Sequence, residues 1–164
     1  MDPTQRHPRG MYFEEFQEGQ RIITAGRTIT ETDVVNFAGL SGDYNQIHVD
    51  SEYSQTSPFG QRVAHGLLIL SISMGLVVQT GVMEGTVLAF REILEWKFSR
   101  PVFFGDTIHV ELIVIETKEL RRLGGGAVVI DAKVINQRGE VVEKGVWNAL
   151  LSARPIPDQT SVRT

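Results

Sequence analysis

Two short stretches hold residue types that can move protons and hold a negative charge. The first is Gly42-Asp43-Tyr44-Asn45-Gln46-Ile47-His48-Val49-Asp50. A carboxylate is anionic near neutral pH and an imidazole titrates there, so Asp43 and His48 offer two groups for proton transfer. They stand five positions apart, which restricts how they can meet. On a regular helix that spacing is about 140° around the axis, and on a strand an odd spacing puts them on opposite faces. Only an irregular loop brings both to one substrate. Taken alone, the same residues also fit an ordinary capped loop. The second stretch is Ala64-His65-Gly66-Leu67. A helix N-terminus presents unpaired backbone N–H groups and partial positive charge, and glycine lets a ligand approach the backbone. The Gly66 N–H could hold a developing thioester or ester oxyanion. The alternative is that Gly66 only eases helix packing and His65 is a cap-side residue.

These residues need elements to hold them. Leu67 to Val78 carries no charge and no proline, and its length predicts a helix rather than a strand. Leu67, Leu70, Met74 and Val77 share one face, while Leu68, Ile72, Leu76 and Val78 cover others, so burial is expected nearly all round. The run is shorter than the roughly 20 apolar residues a membrane span needs. Upstream, 21–30 is rich in β-branched residues and predicts a strand. Thr30 with Asp33 resembles a capping box. It opens a helix whose apolar stripe is Val34, Phe37, Ala38 and Leu40, stopped by Ser41-Gly42. The stretch 43–62 is polar, carries Pro58 and Gly60, and shows no sustained period, so it predicts irregular chain of the kind that tends to be functional.

The second half alternates. Strands are expected over 86–98 with a possible bend at 92–94, over 106–117, around 128–134, and over 141–153. Turns fall at 123–126 and 137–140. Short turns imply antiparallel pairing. The result is an α+β fold, a sheet curled round one buried helix. One sheet cannot cover a helix on every side, so the 43–62 segment and a second subunit should cover the rest. A homodimer is the commonest closed assembly.

The 164 residues and 41% hydrophobic content fit one domain, expected over 11–154, with a flexible arm at 1–10 and a flexible tail at 155–164. A net charge of −4 argues against a general nucleic-acid binder. Zero cysteines exclude disulfides, thiolate nucleophiles and Cys-type zinc sites. That fits a reducing, cytoplasmic setting, and no secretory signal is visible.

Together the stretches resemble the MaoC-like dehydratases, the (R)-specific enoyl-CoA hydratase group of the hotdog fold. The resemblance rests on Phe37-Ala38, Ser41-Gly42-Asp43, Asn45, Ile47-His48, Asp50, Phe59-Gly60 and Ala64-His65-Gly66-Leu67, and further on Phe98-Ser99-Arg100-Pro101-Val102 and Gly105-Asp106-Thr107. It implies a trans-2-enoyl thioester substrate and reversible addition of water across C2–C3. It implies Asp43 and His48 as catalytic residues and the Gly66 N–H as the group that polarises the thioester carbonyl. Asn45 would help hold the loop, and Asn45 and His65 would border the substrate. No metal or redox cofactor is implied; coenzyme A or acyl carrier protein would arrive as part of the substrate. Partners are then the acyl thioester and another copy of the chain, a homodimer or higher homo-oligomer, with no nucleic acid and no membrane.

Two positions depart from the family's pattern. Gln46 stands where proline is usual, and Met74 where a serine often borders the acyl tunnel, with Ser71 and Ser73 near it in sequence. Arg91, Lys97, Arg100, Arg121 and Arg122 are candidates for coenzyme A phosphates, and Trp96 and Trp147 read as core or interface. Two other functions fit the same fold: a hotdog acyl-CoA thioesterase, and a non-catalytic acyl-CoA-binding subunit.

Overall fold

Apolar residues at every second position build the sheet on which the site rests. The computed structural model describes residues 9–155. The elements are β1 (Arg21–Ile23), β2 (Arg27–Thr28), α1 (Glu31–Ser41), α2 (Gln46–Val49), α3 (Ser51–Gln55), α4 (Gly66–Gln79), β3 (Val87–Phe98), β4 (Thr107–Leu120), β5 (Gly125–Asn136) and β6 (Val141–Ser152). The strands form one antiparallel sheet in the order β1-β4-β5-β6-β3, with β2 also on β4. Ile108, Val110, Leu112 and Val114 of β4 and Val128, Ile130, Ala132 and Val134 of β5 are all at most 1% exposed. They form the face that packs with α4 in one core. The chain is therefore the expected α+β hotdog, a sheet wrapped on a helix.

The single strand expected at 21–30 is two short ones. Thr24 interrupts it: its hydroxyl accepts from the Val110 N–H at 2.9 Å and donates to the Ala25 carbonyl at 2.9 Å. A side chain there does the work of a ladder bond. Thr30 caps α1 as expected, with Thr30 and Asp33 bonded in both directions. Leu40, however, is 84% exposed, so the buried stripe of α1 is Val34 and Ala38 with Phe37 partly covered. The stretch 43–62 is not wholly irregular. Asn45 and Asp50 each cap a one-turn helix, α2 and α3.

Helix α4 is less enclosed than its composition suggests. Leu68, Ile69, Ile72, Leu76 and Val77 are buried, but Leu67 is 60% and Val78 is 63% exposed. The sheet covers one side only. The edge strand β3 also shows Val87, Leu88, Phe90, Ile93, Leu94 and Phe98 to solvent. The expected bend in β3 is a pair of register shifts against β6, between Phe90 and Glu92 and between Leu94 and Lys97. No helix among the described residues is long and apolar enough to cross a membrane. Residues 1–8 and 156–164, most of the expected arm and tail, lie outside the described residues. Gly10 and Met11 donate backbone bonds to Glu84 and Val82, both at or below 2.9 Å.

Candidate active site

The loop that carries Asp43 is fixed by its own side chains. Gly42 ends α1 at φ 77°, the left-handed region that glycine adopts without strain. The Ser41 hydroxyl donates to the Phe37 carbonyl at 2.7 Å and accepts from the Asp43 N–H at 3.2 Å. Asp43 Oδ1 accepts from the Asn45 N–H, and Asn45 Oδ1 from the Ile47 N–H. The chain thus turns at Asn45 before α2 begins, and this turn overcomes the five-residue spacing. Asn45 acts here as a cap for α2. The buried Ser54 ties α3 back by donating to the Asp50 carbonyl at 2.6 Å.

Asp43, His48 and His65 meet: one donor atom from each lies within 4.8 Å of the others. His48 Nδ1 is 2.7 Å from the Val63 carbonyl. A carbonyl only accepts, so Nδ1 carries the proton and Nε2 keeps its lone pair. Burial holds the His48 pKa below its ordinary value, and His65 adds to this, while the Val63 bond and Asp43 oppose it. His48 is therefore a neutral base near pH 7. His65, 3% exposed, donates from Nε2 to the Asp43 carbonyl at 2.9 Å. Its ring stacks on His48 at 3.7 Å between centroids and packs against Phe37 at 5.1 Å. It braces both members of the pair. Its Nδ1 is buried without a hydrogen-bond partner among the described residues. The trio is a poor metal centre. Imidazole donates in its ring plane, and two rings stacked at an interplanar angle of 27° send their lone pairs side by side rather than to one point.

Gly66 is the first residue of α4, and the His65 side chain makes no cap bond to that turn. The first-turn N–H groups are thus not taken by a side-chain cap. A Cβ at Gly66 would lie 2.5 Å from the Phe98 ring, so glycine is needed for that ring to lie over the helix end. A cavity of about 640 Å³ joins these groups, with Asp43, His48, Gly66, Phe98, Arg100 and Glu143 among its walls. That volume is in the range of small-molecule sites. Phe98, Ser99 and Arg100 form an exposed rim.

Of the five residues singled out from sequence, Asp43, His48, His65 and Gly66 line the cavity, whereas Asn45, expected at the substrate's edge, is not on its wall and serves as the α2 cap. Of the five basic candidates, Arg100 alone lines this cavity; Arg91 lies 3.9 Å from Glu92 and Arg121 lies 3.2 Å from Glu119. Met74 is partly buried against the core, and Ser73 is fully buried, its hydroxyl without a hydrogen-bond partner among the described residues. Glu143 was not anticipated. Its signal was available: in β6 it shares the inward parity of Gly145, Trp147, Ala149 and Leu151, where a carboxylate is out of pattern.

Residues 15–136 match the family described as MaoC like domain. Protein MaoC of Klebsiella aerogenes is 45% identical over 106 residues, which is 65% of this chain but 31% of that protein, so the chain spans about a third of that relative. The (R)-specific enoyl-CoA hydratase of Rhodospirillum rubrum is 37% identical over 103 residues, 63% of this chain and 69% of the enzyme. The crystal structure of the MaoC-like dehydratase from Rhodospirillum rubrum superposes with a TM-score of 0.78 at 26% identity, covering 90% of this chain and 100% of that one.

Proposed function

We infer the function from one premise: this chain belongs to the MaoC-like domain family. On our reading it is a hydro-lyase that reversibly hydrates trans-2-enoyl thioesters to (R)-3-hydroxyacyl thioesters. The observation that carries the reading is the free Nε2 of a neutral His48, beside Asp43, in the cavity that opens at the Gly66 amide.

The thioester oxygen takes a hydrogen bond from the Gly66 N–H, where the helix end favours negative charge. A water held by His48 and Asp43 attacks C3. His48 Nε2 takes a proton from that water as the C3–O bond forms. The C2–C3 π electrons move toward the thioester oxygen. The enolate-like charge collapses as a proton returns to C2 from the same pair, so one water is added and no group is left over. No metal or redox group takes part in these steps. His65 and Asn45 keep Asp43 and α2 in place. Arg100 on the rim meets the phosphates of the carrier. The apolar faces left open on α4 and β3 take a second copy of the chain, because an unpaired apolar edge strand is otherwise an aggregation hazard.

The test is hydration of crotonyl-CoA by the wild type, Asp43→Asn and His48→Ala, with free thiol measured in parallel. Loss of the enoyl absorbance without thiol release, and a fall of about 10² or more in kcat for each variant, is expected. Thiol release without hydration would make the chain a thioesterase. Binding without turnover, unchanged in Asp43→Asn, would make it an acyl-CoA-binding subunit.

A further inference from the structure

Glu143 is a carboxyl where the sheet should be apolar. It pairs in register with Val134 of β5, a fully buried inward residue, and with Phe98 of β3. It is 2% exposed and borders the cavity. Burial pushes its pKa up to about 8 against the opposing Trp96 hydrogen bond, so it is largely a neutral acid at pH 7. Among the described residues, its one side-chain partner is Trp96, whose Nε1 donates to Oε2 at 3.1 Å.

Several features converge to put Trp96 there. The register shift between Leu94 and Lys97 re-aims the strand. Glu95 sits at φ 50°, the one non-glycine residue at positive φ among those described, a conformation that non-glycine residues seldom adopt. A Cβ at Gly145 would lie 2.6 Å from the Trp96 ring, so glycine makes the groove in which the indole lies. Trp96 then stacks on Trp147 at 5.8 Å and 20°. With Oε2 taken by the indole N–H, the acid's O–H is on Oε1, which has no hydrogen-bond partner among the described residues.

We propose that Glu143 is a specificity-determining residue. Its carboxyl, oriented by Trp96, donates an O–H hydrogen bond to an acceptor oxygen on the acyl chain beyond the reacting carbons. This rests on the thioester reading above. The acyl end is assigned because Phe98, Ser99 and Arg100 form an exposed rim suited to the carrier, whereas Glu143, beside Phe98 in register, is only 2% exposed. A buried donor left unpaired by a plain alkyl chain disfavours that chain.

The test uses saturated thioesters, which need no chemistry. Hexanoyl-CoA is compared with its 4-oxo and 5-oxo analogues by titration calorimetry on the wild type, Glu143→Gln, Glu143→Leu and Trp96→Phe. The wild type should bind at least one oxo analogue about tenfold more tightly than hexanoyl-CoA, the worth of one good hydrogen bond. Glu143→Gln, which keeps a donor, should retain most of that preference. Trp96→Phe should weaken it, and Glu143→Leu should abolish it while binding hexanoyl-CoA at least as well. No oxo preference in the wild type, or an undiminished one in Glu143→Leu, would overturn the proposal. The wild-type and Gln results suffice if the Leu variant does not fold. Crotonyl-CoA hydration with no oxo preference leaves the proposed reaction standing and ends this inference. An oxo preference in a chain that hydrates nothing does the reverse.

Discussion

The loop wall and the sheet wall of the cavity each keep an ionisable side chain from water. On the loop wall, burial lowers the pKa of His48 and leaves a neutral base. On the sheet wall, burial raises that of Glu143 to about 8 and leaves a neutral acid. The cause is one, desolvation of the charged form, and the direction differs because one group is charged when protonated and the other when not. The supports differ as well. His48 is held by contiguous chain, from Asp43 to Gly66. Glu143 is held by Trp96, 47 residues away. The cavity thus pairs a histidine set by a loop and a helix end with a carboxyl whose partner is in place only once β3 and β6 have paired.

The comparison breaks first on the loop wall. His48→Ala should lower kcat for enoyl thioester hydration by about a hundredfold or more, the usual cost of a proton-transfer group. Stopped-flow turnover on protein shown to be folded by circular dichroism checks this.

The next effect is on stability, and its sign separates the walls. Between about 4.5 and about 8, unfolded Glu143 is ionised while the folded carboxyl keeps its proton. The folded state binds more protons, so stability falls as pH rises through that window and levels off above it. Glu143→Gln should remove that fall and be more stable than wild type at alkaline pH, by up to about 5 kcal/mol in urea titrations if the full shift from 4.5 to about 8 is expressed. For His48 the folded state binds fewer protons than the unfolded one. Its contribution is present above about 6.5 and is lost as pH falls through the lowered folded value. His48→Gln should flatten that acid limb and leave the alkaline one. Equal slopes in both variants and the wild type would mean that neither wall is dry.

A smaller effect sharpens the join between the walls. Gly66→Ala pushes a methyl toward the Phe98 ring and should cost about tenfold in kcat/KM through displaced geometry. Adding Phe98→Ala should restore part of it. Thr30→Ala lies on neither wall. It should cost about 1 kcal/mol by removing the α1 cap, with kcat per folded molecule unchanged.

The difference between the walls also explains what could be read from sequence. The alternation in β4 and β5 named the apolar inward residues from Ile108 to Val114 and from Val128 to Val134, because period-two burial is a local property, but it missed the buried Gly126 and Asn136 at the ends of β5. The Thr30 cap was legible because Asp33 lies one turn on, whereas the Asp43 to Gly66 constellation, whose contacts span 15 and 22 residues, was legible through its family motif rather than through local spacing. Three things were not. Leu40 fits a helical stripe by spacing, yet it is 84% exposed. The short helices α2 and α3 are capped by Asn45 and Asp50, residues that signal loops equally well. The Trp96–Glu143 contact depends on a bulge and on Gly145, and a strand bulge leaves no periodicity to detect. The exposed side of α4 is the converse case: its all-round apolarity describes a surface that one chain's sheet does not cover.

The most direct test of two neutral groups facing one cavity is an NMR titration from about pH 5 to about pH 9, across the ordinary range of histidine and above that of carboxylates, with labelled glutamate carboxyls and histidine side chains. The account expects the Glu143 carboxyl to titrate at about 8. It expects His48 to titrate below its ordinary value, with Nε2 the unprotonated nitrogen at neutral pH. A Glu143 titration in the usual carboxylate range, or a His48 that carries its proton on Nε2 at neutral pH, would contradict it.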